Sequence, residues 1–257
     1  MCRLLGYVGP PSPLQTWLSE PKHSLVVQSY APKEMTAGLL NADGFGVAWY
    51  SSADPLPLAY RSLLPIWSDL NLPHLERYVV SSIYLMAVRS ATPGQAVNFS
   101  NCPPFLGDRL ALVHNGFIEN FAQTLARPLR DRLRDPLYAQ IQGTTDSEHL
   151  LALIRQEMEE GYDLPGAIAQ ALSWVAAQAA LRGLKVSANL LVTDGAQLVA
   201  TRWAWGTAAP SLYVCQAEAS LAIASEPLGG DRWQAVPAGT LWVATGADWR
   251  EGPPLPQ

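Results

Sequence analysis

The sequence predicts a layered α+β fold: two mainly antiparallel sheets packed on each other, with helices outside. Three observations predict it. Short apolar runs bounded by Gly, Pro, Asn or Asp recur early and late in the chain. Tight turn signals, such as TDGAQ between NLLV and LVAT, join successive runs as antiparallel pairs and not as βαβ units. Two stretches of helical periodicity sit together in the middle. Stacked sheets with outer helices are one of the few ways to bury both kinds of amphipathic face.

Taken in order, RLLGYVG reads as the first strand, and a helix is expected within LQTWLSEP or nearby, before Met35–Gly38. FGVAWY, SSIYLMAVRS and LALVHNGFI follow as strands, rich in β-branched and aromatic residues. NFAQTLARPLRDRLRDPLYAQI is Arg-rich and broken by Pro128 and Pro136, so it reads as an exposed helical excursion. Its irregularity makes 121–143 the expected place for a lid. TTDSEHLLALIRQEMEEG puts Leu150, Leu151, Ile154 and Met158 on one helical face and stops at Gly161. DLPGAIAQALSWVAAQAALRG repeats the pattern with Ile168, Leu172, Val175 and Ala179, ending at Gly183. The two read as an antiparallel helix pair. KVSANLLVTDG, LVATRWAW, SLYVCQ, SLAIASEP and TLWVATG complete the strands.

Composition narrows the class. The chain has 257 residues, 49% hydrophobic and 15% charged, enough for a large core. A net charge of -5 without clustered Lys or Arg argues against nucleic acid and against an anionic membrane. No apolar stretch of about 20 residues is uninterrupted, so no membrane span is expected. AIAQALSWVAAQAAL is broken by Gln170, Ser173 and Gln178 and reads as a buried helix. No basic n-region precedes an apolar h-region, so no secretory signal is expected. Cys2, Cys102 and Cys215 are odd in number and far apart, which disfavours a disulfide framework or a cysteine zinc site. The expected compartment is the reducing cytoplasm.

Four short stretches carry candidate chemistry, each with a plainer reading beside it. Cys2 follows Met1, whose removal would leave a cysteine with its own α-amine. An ordinary thiol titrates at about 8.5 and an α-amine at about 7.7–8.0, so one residue could supply both nucleophile and base. The plainer reading is a small hydrophobe at a strand start. AVRSAT carries Arg89 and Thr92; a guanidinium grips a carboxylate by two charge-assisted hydrogen bonds, or serves a structural ion pair. LALVHNGFIEN carries Asn115-Gly116, a strong hairpin signal. At a tight turn the Asn115 amide and the Gly116 N–H can also form an oxyanion hole. His114 beside them reads as a packed or hydrogen-bonded residue. TTDSEH matches a capping box at Thr145 and Glu148, and Asp146 suits the first turn of a helix or a ligand's ammonium. Together these residues would hold an α-amino acid head at one end and attack an amide at the other, which is what a γ-glutamyl amide requires.

Met1-Cys2 with LLGYVG, then NADGFGVAWY, AVRSAT, HNG and TDSE in this order, resemble the class II glutamine amidotransferase family. These are N-terminal-nucleophile hydrolases with a four-layer αββα sandwich. The resemblance implies Cys2 as nucleophile, Asn115 and Gly116 as oxyanion hole, Arg89 and Thr92 at the substrate carboxylate, and Asp146 at its amine. QSYAPK, SLLPIWSD, LVTDG and ASEPLGGDRWQAVPAG further resemble the branch of the family in ergothioneine biosynthesis. That branch hydrolyses γ-glutamyl-hercynylcysteine sulfoxide to glutamate and hercynylcysteine sulfoxide. Ala87, Ser90 and Pro93 stand where glutaminase domains often carry histidine and tryptophan, which points away from free glutamine.

The resemblance further implies a single glutamine amidotransferase type 2 domain over 1–257, a small-molecule γ-glutamyl substrate, and no metal or organic cofactor. A trimethylammonium in the leaving group would call for aromatic faces, for which Tyr7, Trp49, Trp67 and Tyr84 are candidates beside a plain core role. The rival expectations are a glutaminase subunit feeding ammonia to a separate synthase, a hydrolase of other γ-glutamyl peptides, and a non-catalytic binding sandwich.

Overall fold

Alternation along the first strand, β1 (Arg3–Pro13), sets the layering. Leu4 and Val8 point into one apolar cluster, Leu5 and Tyr7 into another, as a period of two requires. The structure, a computed structural model, describes residues 2–36, 38–51, 53–92 and 94–257. The expectations on Met1 and Pro93 lie outside the described residues.

Two short helices, α1 (Gln15–Leu18) and α2 (Leu25–Tyr30), follow β1, where one helix was expected. Then come β2 (Phe45–Ser51), β3 (Asp54–Ser62), α3 (Leu72–Tyr78), β4 (Val80–Val88), β5 (Phe105–Gly107) and β6 (Leu110–Ile118). The excursion forms α4 (Phe121–Thr124), α5 (Ala126–Arg132) and α6 (Asp135–Tyr138). The long pair is α7 (Asp146–Glu159) and α8 (Leu164–Arg182). The last strands are β7 (Val186–Thr193), β8 (Leu198–Trp205), β9 (Tyr213–Gln216), β10 (Leu221–Ala224), β11 (Gln234–Ala235), β12 (Thr240–Thr245) and β13 (Asp248–Glu251).

The strands form two antiparallel sheets. One has seven strands in the order β11-β9-β10-β1-β4-β2-β3, the other six in the order β13-β12-β8-β7-β6-β5. Three apolar clusters fill three interfaces. Leu4, Ile83, Leu85, Val113, Leu191 and Ile223 join the sheets. Leu14, Leu18, Leu25 and Leu72 cover the outer face of the first sheet with Leu5 and Phe45. Leu150, Ile154, Ile168, Leu172 and Val175 cover the second sheet with Leu112, Leu190 and Val192. The result is the four-layer αββα sandwich. Helix α8 is long and apolar enough by length and composition to cross a membrane, but one of its faces is buried on the second sheet.

Two expectations are corrected. Asn115-Gly116 makes no hairpin: β6 runs straight through it, with Asn115 opposite Asn189 and Gly116 opposite Ala188 of β7. Glycine is needed there because a Cβ would collide with the Ser187 carbonyl. The excursion is not an exposed lid. Phe121, Leu125, Leu129, Leu133 and Leu137 recur every fourth residue and are all buried. Ion pairs from Arg132 to Glu157 and from Arg134 to Glu159 tie it to α7.

Candidate active site

Strand register brings the first two candidates together. In the β1–β4 pairing Arg3 lies opposite Val88, so one further step sets Cys2 beside Arg89. The Cys2 thiol lies 3.9 Å from the Ser90 carbonyl. Cys2 shares the parity of Leu4, and Asn115 that of Ala111 and Val113, so both belong to the inter-sheet side.

The NADGFG stretch holds Arg89 in place. The Arg89 N–H donates to Gly44 O (2.8 Å), its carbonyl accepts from Asp43 N–H (3.0 Å), and the Asp43 carboxylate accepts from Ala91 N–H (2.8 Å). Gly44 has φ +106, a left-handed conformation that favours glycine. Arg89 is 3% exposed, and among the described residues its guanidinium donates only to the carbonyls of Asp43 (3.4 Å) and Ala96 (3.3 Å). Among the described residues it has no carboxylate within 4.0 Å, which leaves a buried cation open to an anion.

Asp146 starts α7, capped by Thr145, whose hydroxyl accepts from Glu148 N–H (3.2 Å). The return half of the capping box is absent: Glu148 accepts instead from the N–H groups of Gln142 and Gly143. Asp146 Oδ2 accepts from Ile118 N–H (2.9 Å), and Oδ1 accepts from Ser147 N–H (2.8 Å) and from its hydroxyl (3.2 Å). His114 Nδ1 meets the Ser147 hydroxyl at 2.9 Å, and Nε2 the Ser187 carbonyl at 3.2 Å. His114 is therefore a hydrogen-bonded strand residue that links β6 to α7, as its sequence context suggests.

These groups surround one cavity of about 340 Å³. Its walls include Cys2, Gly38, Arg89, Thr92, Gly116 and Asp146. Thr92 is exposed at the rim. Asn115 is not on the cavity wall; its side chain is fully enclosed, and neither Nδ2 nor Oδ1 has a partner among the described residues. A second cavity shares Thr92, Gln95, Phe117 and Asp146 with the first and continues along Glu119–Gln123.

Sequence reading missed Asn101, whose amide donates to Ala96 O (3.1 Å) and Thr144 Oγ1 (3.2 Å) and whose oxygen accepts from Thr144 N–H (2.8 Å). It joins the loops on two sides of the cavity. Its only signal was the turn-forming NCPP. Asp43 and Glu226 lay inside quoted motifs with no role attached.

Of the four aromatic candidates, Tyr7 and Tyr84 are core residues on the outer face of the first sheet, Tyr7 stacked on Trp17. Trp49 packs on the same face. Trp67 alone is exposed, edge-on to Tyr30.

The three cysteines are free. Burial pushes the Cys102 thiol up to about 11, so it stays protonated and inert.

Residues 15–205 match the model of the class-II glutamine amidotransferases. The gamma-glutamyl-hercynylcysteine sulfoxide hydrolase of Mycobacterium tuberculosis is 32% identical over 92% of this chain and 90% of its own length. Among solved structures, a glutamine aminotransferase class-II domain protein from Silicibacter pomeroyi superposes with a TM-score of 0.72 at 27% identity, covering 98% of this chain and 100% of that one. The glutamine phosphoribosylpyrophosphate amidotransferase of Bacillus subtilis shares the fold, with a TM-score of 0.64 at 18% identity over 97% of this chain and 48% of that one. The chain belongs to the class-II glutamine amidotransferase family.

Proposed function

We propose that this protein hydrolyses a γ-glutamyl amide through Cys2, with γ-glutamyl-hercynylcysteine sulfoxide of ergothioneine biosynthesis as its substrate. The observation that carries the reading is one cavity bearing a thiol, a carboxylate and a buried guanidinium that has no ion-pair partner among the described residues. An amino acid head needs the last two, and an amide at the far end of its side chain needs the first. Identity of 32% along most of the chain to a hydrolase of that name supports the choice of substrate. Three free cysteines suit a reducing compartment, so we place the protein in the cytoplasm.

In this mechanism loss of Met1 frees the α-amine of Cys2, which takes the thiol proton. The sulfur attacks the γ-carbonyl carbon, and the carbonyl electron pair moves to an oxyanion held by Gly116 N–H on the wall and by Asn115 Nδ2–H, whose enclosed side chain shifts to reach it. Collapse breaks the C–N bond while the Cys2 ammonium protonates the departing amine. Water then attacks the γ-glutamyl thioester, releasing glutamate and restoring the thiol. Arg89 and Thr92 hold the α-carboxylate, and Asp146 the α-ammonium.

The test supplies the purified protein with the hercynyl substrate, a γ-glutamyl peptide and free glutamine, and follows glutamate release. The expected result is preference for the hercynyl compound, and loss of turnover by on the order of 10⁴-fold or more in Cys2→Ala. Equal consumption of glutamine, or substantial hydrolysis by Cys2→Ala, overturns the reading.

A further inference from the structure

Behind the cavity, on the helix side of the seven-stranded sheet, one buried carboxylate gathers three other segments of the chain. Glu226 follows the end of β10 and is 1% exposed. Its Oε1 accepts from Arg3 Nη1 (3.1 Å) and Glu34 N–H (3.0 Å). Its Oε2 accepts from Lys33 N–H (2.8 Å) and meets His23 Nε2 at 2.7 Å. Burial opposes ionisation, but the hydrogen bonds from His23, Lys33 and Glu34 and the charge of Arg3 outweigh it and hold the carboxyl below its usual range.

From that anchor Arg3 turns back on its neighbour, and its Nε–H donates to the Cys2 carbonyl (2.8 Å). Ser225 grips the next residue, its hydroxyl accepting from Leu4 N–H (2.9 Å) and its N–H donating to Leu4 O (3.0 Å). Tyr213 adds a hydrogen bond to the Glu34 carboxylate (2.7 Å).

We infer that Glu226 is a positioning residue for the nucleophile: through Arg3 it fixes the Cys2 carbonyl. It rests on the reading of Cys2 as nucleophile. A frayed chain end cannot present a thiol in one place, and a misplacement of about 1 Å costs roughly 10²-fold in rate. A buried ion pair adds little net stability over a well-packed apolar pair, so its position one residue from the thiol is what gives it this use.

The test compares wild type with Glu226→Gln, Glu226→Asp and Arg3→Lys. Three readouts separate positioning from folding: kcat and KM on a γ-glutamyl anilide, the rate of labelling by a γ-glutamyl diazoketone, and labelling by iodoacetamide. Cys102, 0% exposed, is the internal fold control, because it stays unlabelled while the core is intact. For Glu226→Gln and Arg3→Lys the expected result is a kcat lower by about 10–100-fold. KM stays within about threefold, the directed label slows in parallel with kcat, and Cys102 remains protected, with partial rescue in Glu226→Asp. Variants that keep wild-type kcat and directed labelling overturn the inference alone, as does a loss that appears only together with Cys102 labelling. If Glu226→Gln does not fold, Arg3→Lys and Glu226→Asp decide by the same readouts. A wild type that neither cleaves γ-glutamyl amides nor takes the directed label overturns the functional reading, and the inference with it.

Discussion

Arg3 and Arg89 are buried arginines at the same end of neighbouring strands, and they are held in opposite ways. Arg3 faces the helix layer, where the carboxylate of Glu226 meets it at 3.1 Å. Arg89 faces the cavity and, among the described residues, finds only two carbonyls, at 3.4 and 3.3 Å. The same contrast separates two asparagines that lie opposite each other in one ladder. Asn189 gives its amide to the carbonyls of Pro210 and Ser211, both at 3.1 Å. Asn115 gives its amide to nothing. Arg3 Nη2 and Asn189 Oδ1 also have no partner among the described residues, so the contrast is narrower: Arg3 has its charge met and Asn189 its amide nitrogen, while Arg89 and Asn115 have neither. An unmade buried interaction costs free energy that a ligand of the right charge recovers on binding.

The widest separation is expected from paired substitutions of the two arginines. Arg3→Met strands the Glu226 carboxylate and is expected to cost about 3–5 kcal/mol of stability, read as a lowered Tm. Arg89→Met strands no carboxylate, so Tm is expected to hold or rise, while kcat/KM falls on the order of 10²–10³-fold. Equal losses of Tm would erase the distinction. Next comes the asparagine pair. Asn115→Ala is expected to lower kcat roughly 10²–10³-fold with little change in Tm. Asn189→Ala is expected to do the reverse, because its amide serves two backbone carbonyls and no substrate.

The smallest effect belongs to a scaffold group that titrates. His149 accepts from Arg130 Nε–H (2.8 Å) and, as the neutral ring, donates from Nδ1 to Thr145 O (2.7 Å). Burial is the main cause that pulls its pKa down to about 4; the charge of Arg130 adds to this and the Thr145 hydrogen bond opposes it. The unfolded chain therefore takes up a proton first as pH falls. The stability from keeping His149 neutral is whole above about pH 6.5 and drains away towards pH 4, by up to about 3 kcal/mol. His149→Gln should flatten Tm against pH in that window, and an unchanged slope would place the acid sensitivity elsewhere.

Much of the sandwich was legible because its strands are buried on at least one face. LVATRWAW is β8 and LALVHNGFI is β6, residue for residue. The missed strands lack that pattern. β3 is an edge strand carrying Pro55 and Pro57, and β5 and β11 are only three and two residues long. The excursion misled because its prolines drew attention away from five apolar residues spaced by four. At HNG the residue types were informative for another reason than the one they suggest in isolation. Glycine serves close approach to a neighbouring strand, not a turn, because ladder pairing outweighs local turn preference. The site residues were legible as a set of charges and a thiol. Their convergence was not, since it depends on which strands are neighbours and in which register. Nor did Glu226 carry any local signal, since its partners lie about two hundred residues away in sequence.

The central place of β1 has a consequence for how the protein is made. Leu5 pairs with Ala224 and Val8 with Leu221, so β1 is completed by a strand made about two hundred residues after it. Contacts of such separation form late, because loop closure must come first. During translation β1 therefore waits without this partner until β10 has left the ribosome. Until then Arg3 also lacks its Glu226 partner, so the segment around Cys2 gains its fixed place only at the end of folding.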